Sequence, residues 1–207
     1  MASDRPAIFL VDDDSSVREA VSNLLESVGL RVKAFASTEE FLQVKKPDVP
    51  SCLILDVRLP GVGGLEFQEH LAKAGIPIPI VFITAYGDIP MTSRAIKAGA
   101  VELLTKPFQK KDLLAAIGQA LDRDRARRKE QRSVSGLLSR FDTLTPRERQ
   151  VLNFVAAGLT NKQAAAKLGL SEITVKIHRG NLMRKMEAKS FAELVQMAQK
   201  LDARFHR

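Results

Sequence analysis

Hydrophobic positions follow two alternating rhythms across the first 121 residues. Short apolar runs of strand type alternate with stretches in which apolar residues recur every three or four positions. Ala7–Val11 is the first strand-like run. Val17, Ala20, Val21, Leu24, Leu25 and Val28 then mark a helix that Gly29 stops. Arg31–Phe35 alternates as a strand, and Ser37 or Thr38 caps a helix to about Val44. Cys52–Leu55 is the next buried strand, followed by a loop to Gly64 and a helix over Leu65–Ala74. Ile80–Ile83 and Val101–Leu104 are further strands around a short helix, Met91–Ala98, which Gly99 ends. Leu113, Leu114, Ile117, Ala120 and Leu121 mark a last amphipathic helix. Strands this apolar are covered on both faces, which predicts a parallel sheet. Right-handed crossovers make it doubly wound, and five strands with five helices predict an α/β flavodoxin-like order, 2-1-3-4-5.

The rhythm changes after the middle of the chain, where every predicted element is helical. Thr145-Pro146-Arg147-Glu148 reads as a capping box with proline at the first helical position. Val151, Leu152 and Val155 point inward, and Gly158 ends that helix. Thr160 caps a second helix to Leu168, and Gly169 turns the chain. Ser171 caps a third, about Glu172–Met186, and Ser190 to Glu193 reads as another capping box that opens a fourth, to about Leu201. Two short helices joined by a glycine turn form the pattern of a helix-turn-helix. The expected boundaries are a first domain over 1–122, a helical linker over 123–140 and an all-α four-helix domain over 141–207.

Charge sharpens the division. The chain of 207 residues has a net charge of +8. Up to Leu121 there are 13 Lys and Arg against 15 Asp and Glu; from Asp122 on there are 19 against 9. A slightly acidic half and a strongly basic half predict that the second meets a polyanion. The arginine-rich run over 122–135 reads as a solvated helical face whose cations could also approach phosphates. A single cysteine, Cys52, excludes an internal disulfide framework and a cysteine-rich zinc site. No apolar run approaches the roughly 18 residues that span a bilayer, and residues 1–6 lack the apolar stretch of a signal peptide. A cytoplasmic protein without a membrane partner is the expectation.

The predicted topology also places chemistry. In doubly wound sheets, ligands bind beyond the carboxyl ends of the strands, where the winding reverses between the first and third strands. Asp12 and Asp13 end strand one, Asp56 ends strand three, Thr84 ends strand four and Lys106 ends strand five. Clustered carboxylates repel unless a cation joins them, and an all-oxygen set beside a phosphate suits Mg²⁺. A carboxylate can attack phosphorus to give an acyl phosphate, whose charge Lys106 would neutralise and to which Thr84 would donate a hydrogen bond. Asp14 reads as the cap of the first helix. In the third helix of the basic half, Val175, Leu182 and Met186 share a packing face. Thr174, Lys176, Ile177, Gly180, Asn181 and Arg184 form a polar, basic face that suits the major groove.

Val11 to Asp14, Leu55-Asp56-Val57-Arg58-Leu59-Pro60-Gly61, Thr84-Ala85 and Lys106-Pro107-Phe108 resemble the receiver domain of two-component response regulators, over roughly residues 6–122. Leu144 to Glu148, Gly158 to Lys162 and Thr174 to Arg179 resemble the LuxR-type helix-turn-helix, over roughly 140–203. The whole chain resembles response regulators of the NarL/FixJ type, closer to FixJ. The resemblance implies that Asp56 accepts a phosphoryl group from a sensor histidine kinase. It implies that Asp12, Asp13, Asp56 and the backbone carbonyl of Arg58 hold Mg²⁺, that Thr84, Ala85 and Lys106 carry the switch and phosphoryl contacts, and that Lys106-Pro107 is cis. Lys176, Ile177 and Gly180 would read base edges, and Thr160, Asn161, Thr174, Arg179 and Asn181 would contact phosphates. Phosphorylated receivers would pair through a surface including Arg94, Lys97 and Asp112, giving a homodimer on double-stranded promoter DNA that works with RNA polymerase, most simply as an activator. One position departs from the family: Leu103 stands where an aromatic residue is usual. The segment from Thr84 through Tyr86 to Pro90 is then expected to carry more of the switch movement, with Arg58 and Tyr86 tuning the acyl phosphate.

Two other classes stand beside this reading. A haloacid-dehalogenase-like phosphatase needs a second aspartate two residues after its nucleophile, where this chain has Arg58. A nucleoid-type or adaptor protein would keep the receiver fold only as structure. Its DNA binding would then be indifferent to phosphoryl chemistry.

Overall fold

A computed structural model describes residues 5–85 and 87–205, with side chains through residue 201. Tyr86, expected beside the acidic site, lies outside the described residues. The chain divides into two compact units, 1–128 and 129–207.

In the first unit, β1 (Ala7–Val11), β2 (Arg31–Phe35), β3 (Ser51–Asp56), β4 (Ile80–Thr84) and β5 (Glu102–Thr105) form one parallel sheet in the order β2-β1-β3-β4-β5. Its register pairs Val11 with Leu55, Asp56 with Ile83 and Thr84 with Thr105, so the strand ends that carry the polar residues lie side by side. Helices α1 (Ser15–Glu26), α2 (Thr38–Gln43), α3 (Gly64–Lys73), α4 (Ile89–Lys97) and α5 (Lys110–Asp142) connect or follow the strands. Alternate strand residues feed two cores, because successive side chains point to opposite faces. Ile8, Leu10, Ile54, Val81 and Ile83 pack against Val21 and Leu25 of α1 and Leu113, Ala116 and Ile117 of α5. Phe9, Val11, Leu53, Leu55 and Phe82 pack against Phe41 of α2, Phe67 and Leu71 of α3 and Ala95 of α4.

The edge strands depart from the expectation of uniformly covered strands. β2 exposes Arg31, Lys33 and Ala34, and β5 is only half-buried, because each has a neighbour on one side alone. Leu103, on β5, is accordingly half-buried and packs on the Phe82 side of the sheet.

The arginine run was expected to be a solvated face. Arg123 and Arg125 are exposed and keep to it, and the structure corrects it for Arg127 and Arg128, which are half-buried. Arg123 donates to the Gly99 carbonyl at 3.0 Å, and Arg125 pairs with Asp122 at 2.7 Å. Arg127 and Arg128 both pair with Asp124, and Arg128 also with Asp48. Asp124 is buried, and its other bond is to the Ser51 N–H at the start of β3, 3.0 Å away. A buried carboxylate needs such partners, and the run supplies them from its own helix.

In the second unit, α6 (Pro146–Ala156), α7 (Asn161–Leu168), α8 (Glu172–Lys185) and α9 (Phe191–Phe205) enclose a core of Val151, Leu152, Val155, Leu182, Met186 and Leu194, joined by Leu137 of α5. Thr145 and Glu148 form a complete capping box, and Thr160 and Gln163 form another. The expected box at Ser190 is displaced by one residue. Ser190 Oγ accepts from the Glu193 N–H, but the Glu193 carboxylate accepts from Lys189 instead. Gly169 takes the left-handed conformation, φ 65°, that the α7–α8 turn requires.

Candidate functional site

Four of the five strands, β1, β3, β4 and β5, deliver polar residues to the same rim. Asp12 follows β1 and is fully buried; Asp56 closes β3 at 7% exposure; Thr84 closes β4 and is fully buried. Asp13 is exposed beside them. One carboxylate oxygen from each of Asp12, Asp13 and Asp56 lies within 4.8 Å of the others. Lys106, immediately after β5, bridges two of them, with Nζ 2.6 Å from Asp12 Oδ2 and 2.9 Å from Asp56 Oδ2. The Lys106 N–H donates to the Thr84 carbonyl at 2.7 Å, and the Lys106-Pro107 bond is cis. The Arg58 N–H donates to Asp56 Oδ1 at 3.1 Å, which fixes the carboxylate against the loop that follows it. Ala85 is exposed next to Thr84.

Burial pushes the Asp12 carboxyl above the usual aspartate range, and hydrogen bonds from Lys106 and the Asp14 N–H only partly offset it. Burial alone would lower the Lys106 ammonium, but its bonds to Asp12 and Asp56 outweigh this and hold it above the usual lysine range. The rim is therefore a place where negative charge is costly and cations are held. Three convergent carboxylates of this kind fit a divalent hard cation. Asp14 stands apart as the cap of α1, accepting from the Ser16 N–H at 2.8 Å and the Ser16 hydroxyl at 2.6 Å.

Two supports of this rim were missed in the sequence. Arg18, one turn into α1, donates to the backbone carbonyls of Asp12 and Asp13 at 2.8 and 2.9 Å. Gly64, the first residue of α3, lies so close to β3 that a Cβ there would sit 2.2 Å from the Asp56 carbonyl oxygen. The Gly63-Gly64 pair at a helix start was the available signal. Arg18 had none beyond its position on the first helix.

The basic surface is built on α7 and α8. Val175, Leu182 and Met186 are fully buried, so the opposite face of α8 is presented outward. Lys176 and Gly180 are exposed, and Ile177 keeps 58% of its surface. Thr160 caps α7 and Ser171 caps α8, where the Ser171 hydroxyl takes the Thr174 N–H at 3.1 Å. Arg179 donates to Asn161 Oδ1 at 2.5 Å and lies over the Phe191 ring, 4.4 Å from its centre. Asn181 accepts from Arg184 at 3.2 Å. Arg94, Lys97 and Asp112 are exposed on α4 and the start of α5. Among the described residues, no helix is long and apolar enough to cross a membrane.

A parallel sheet with an acidic, lysine-bridged rim, followed by a basic helix-turn-helix unit, defines the class of two-domain regulators that couple an input to DNA. Comparison with known proteins agrees. Residues 8–118 match the response regulator receiver domain, and residues 142–198 match the bacterial regulatory proteins of the luxR family. The chain is 56% identical over 200 residues to Nodulation protein W of Bradyrhizobium diazoefficiens, covering 97% of this chain and 88% of that protein. It is 46% identical to response regulator protein TmoT of Ectopseudomonas mendocina, covering 97% and 91%. The solved structure of response regulator StyR superposes with a TM-score of 0.84 at 49% identity, covering 95% of this chain and 99% of that one. The chain thus belongs to the two-component response regulators that carry a LuxR-type DNA-binding domain, and it is a transcriptional regulator. This membership implies a kinase as one partner and DNA as the other.

Proposed function

We propose that a sensor histidine kinase phosphorylates Asp56 and that the acyl phosphate promotes receiver pairing and promoter binding, with activation of transcription as the outcome. The observation that carries this is the convergence of Asp12, Asp13 and Asp56 with Lys106 bridging two of them. An Asp56 carboxylate oxygen attacks phosphorus, the bond from phosphorus to the histidine nitrogen breaks, and the histidine departs with the nitrogen's electron pair. Asp12, Asp13, Asp56 and the Arg58 carbonyl would hold Mg²⁺, which when bound supplies charge screening between the carboxylates and the incoming phosphoryl group. Lys106 then exchanges a carboxylate partner for a phosphoryl oxygen, and Thr84 donates its hydroxyl to another. Ala85 gives the adjoining loop a small residue that leaves room beside the phosphoryl group. The chemistry ends at phosphoryl transfer and slow hydrolysis of the acyl phosphate, so the protein acts as a phosphoacceptor rather than as an enzyme.

Residues 1–122 act as the receiver, 123–140 as a helical linker and 141–207 as the DNA-binding domain. Pairing uses the exposed surface that includes Arg94, Lys97 and Asp112, and the exposed Ile89 and Ile96 of α4 give that surface apolar area to bury. Leu103 replaces the usual aromatic beside it. Lys176, Ile177 and Gly180 read bases in the major groove, while Thr160, Asn161, Thr174, Arg179 and Asn181 hold phosphates. The bond between Arg179 and Asn161 supports this, because it presents a cation and an amide from two helices as one unit. The protein acts in the cytoplasm, and RNA polymerase is its partner at the promoter.

The test is molar mass by light scattering on a sizing column with Mg²⁺, with and without beryllofluoride as a phosphoryl mimic. The expected result is a monomer that becomes a dimer, and no change in Asp56→Asn. An unchanged mass in the native chain overturns the coupling, and an Asp56→Asn chain still labelled on aspartate by a phosphodonor overturns the site.

A further inference from the structure

α8 carries a second exposed isoleucine that the base-reading set leaves out. Ile173 retains 73% of its surface and Ile177 retains 58%. They lie four residues apart, so they stand one above the other on the same helix face. Neither joins an apolar cluster among the described residues, whereas Val175 between them is fully buried. Among the described residues, the other large hydrophobic exposed in this unit is Phe191, and the Arg179 guanidinium covers its ring. Burying an isoleucine side chain is worth about 1.5–3 kcal/mol. A β-branched residue in a helix also costs a few tenths against alanine. Folding of this unit gains little from either residue, and together they make an apolar step rather than scattered surface.

What would cover the step follows from its borders. Lys176 is exposed between the two isoleucines, and Gly180 follows with open space where a side chain would be. Exposed Arg184 continues the face, in a half of the chain that carries 19 Lys and Arg against 9 Asp and Glu. Exposed Glu172 also borders the step at the helix start, but Lys176 and Arg184 outnumber it. A net cationic border disfavours an apolar protein groove and favours a polyanion that presents apolar groups. The thymine 5-methyl in the major groove is that group in duplex DNA. Residues i and i+4 are about 6 Å apart along a helix, against a base-pair rise of about 3.4 Å. Two isoleucines therefore reach methyl groups on neighbouring or next-but-one base pairs.

We infer that Ile173 is a specificity-determining residue, and that with Ile177 it reads two thymine methyl groups in each half-site. This rests on the placement of α8 in the major groove. The test uses the full chain with Mg²⁺ and beryllofluoride. A randomised duplex pool is enriched for binding, and each thymine of the winning site is replaced by uracil, which removes only the methyl group. The expected result is two positions per half-site where the replacement weakens binding roughly fourfold, the equivalent of about 0.8 kcal/mol for one buried carbon. Ile173→Ala should lose sensitivity at one position and keep it at the other, and Ile177→Ala should do the reverse. Both side chains are exposed, so the melting temperature should not move. Equal losses on thymine and uracil duplexes, or unchanged methyl sensitivity in Ile173→Ala, overturn the inference. A pool that enriches no sequence, with Lys176→Ala binding like the parent, overturns the groove placement itself.

Discussion

Gly64→Ala tests how closely α3 is pressed against the strand that carries Asp56. The new Cβ would lie 2.2 Å from the Asp56 carbonyl oxygen, 3.0 Å from Val57 Cα and 3.1 Å from the Asp56 carbonyl carbon. All three are backbone atoms, so no side chain can swing away. An ordinary carbon–oxygen contact needs a shift of about 1 Å. The local hydrogen bonds resist it, because the Gly64 N–H donates to the Val57 carbonyl at 2.9 Å and the Val57 N–H donates to Ile83 at 3.1 Å. Inserting one methyl into packed structure costs 1–3 kcal/mol, and rigid neighbours place this case at about 3 kcal/mol. In a unit of this size that lowers the melting temperature by about 10 °C. A 1 Å displacement beside a reacting group also slows chemistry by about a hundredfold. Gly63→Ala is the matched control, because its Cβ would meet the Val57 carbonyl oxygen at an ordinary 3.8 Å. Calorimetry of the full chain identifies the receiver transition as the one that Mg²⁺ and beryllofluoride raise. Phosphorylation by acetyl phosphate gives the rate. If Gly64→Ala melts within 1 °C of Gly63→Ala and is phosphorylated at the parental rate, the close approach of α3 to Asp56 is wrong.

Other predictions address charge and recognition. Lys106→Ala removes the cation between Asp12 and Asp56 and should lower the urea stability of the receiver by about 2 kcal/mol in EDTA. Excess Mg²⁺ should recover much of that, and an equal loss with and without the metal would refute charge compensation at this rim. Glu148 is buried against Lys185 at 2.7 Å and the Thr145 N–H at 2.8 Å. Burial pushes its carboxyl up, but these bonds outweigh burial and hold it below the ordinary 4.5. A lowered folded value stabilises the protein above the unfolded value and loses that contribution as pH falls through the folded one. Thermal unfolding of the second unit should therefore weaken below about pH 4.5, with a flatter profile in Glu148→Gln and a loss of about 2 kcal/mol at neutral pH. Identical pH profiles would refute the pairing. Lys176→Ala should cost about 1–3 kcal/mol of sequence-specific binding and reduce the salt dependence of affinity, read by titration at several salt concentrations. A variant unchanged in both would place that side chain outside the interface.

The chain by itself carried the sheet order, the helix-turn-helix and the five polar residues of the rim. Those depend on local signals: period-two and period-3.6 apolar patterns, glycine stops, hydroxyl caps, and acids placed where strands end. Once the order 2-1-3-4-5 is read, Asp12, Asp56, Thr84 and Lys106 must converge, because parallel strands put their carboxyl ends on one edge. What the chain could not display was pairing across distance. Two arginines of the expected solvated face, Arg127 and Arg128, became partners for Asp124, since a buried carboxylate on α5 beside the start of β3 recruits the cations its helix offers. The uniform cover expected for the strands failed at β2 and β5, because edge position is a property of the sheet rather than of the strand. Gly64 and Arg18 became supports of the site only when α3 and α1 closed on the backbone of β3 and β1. Ile173 reads in sequence like any core isoleucine. The sequence already set Val175, Leu182 and Met186 on the inward face of α8, and only the packing showed that Ile173 joins neither that face nor a neighbouring cluster.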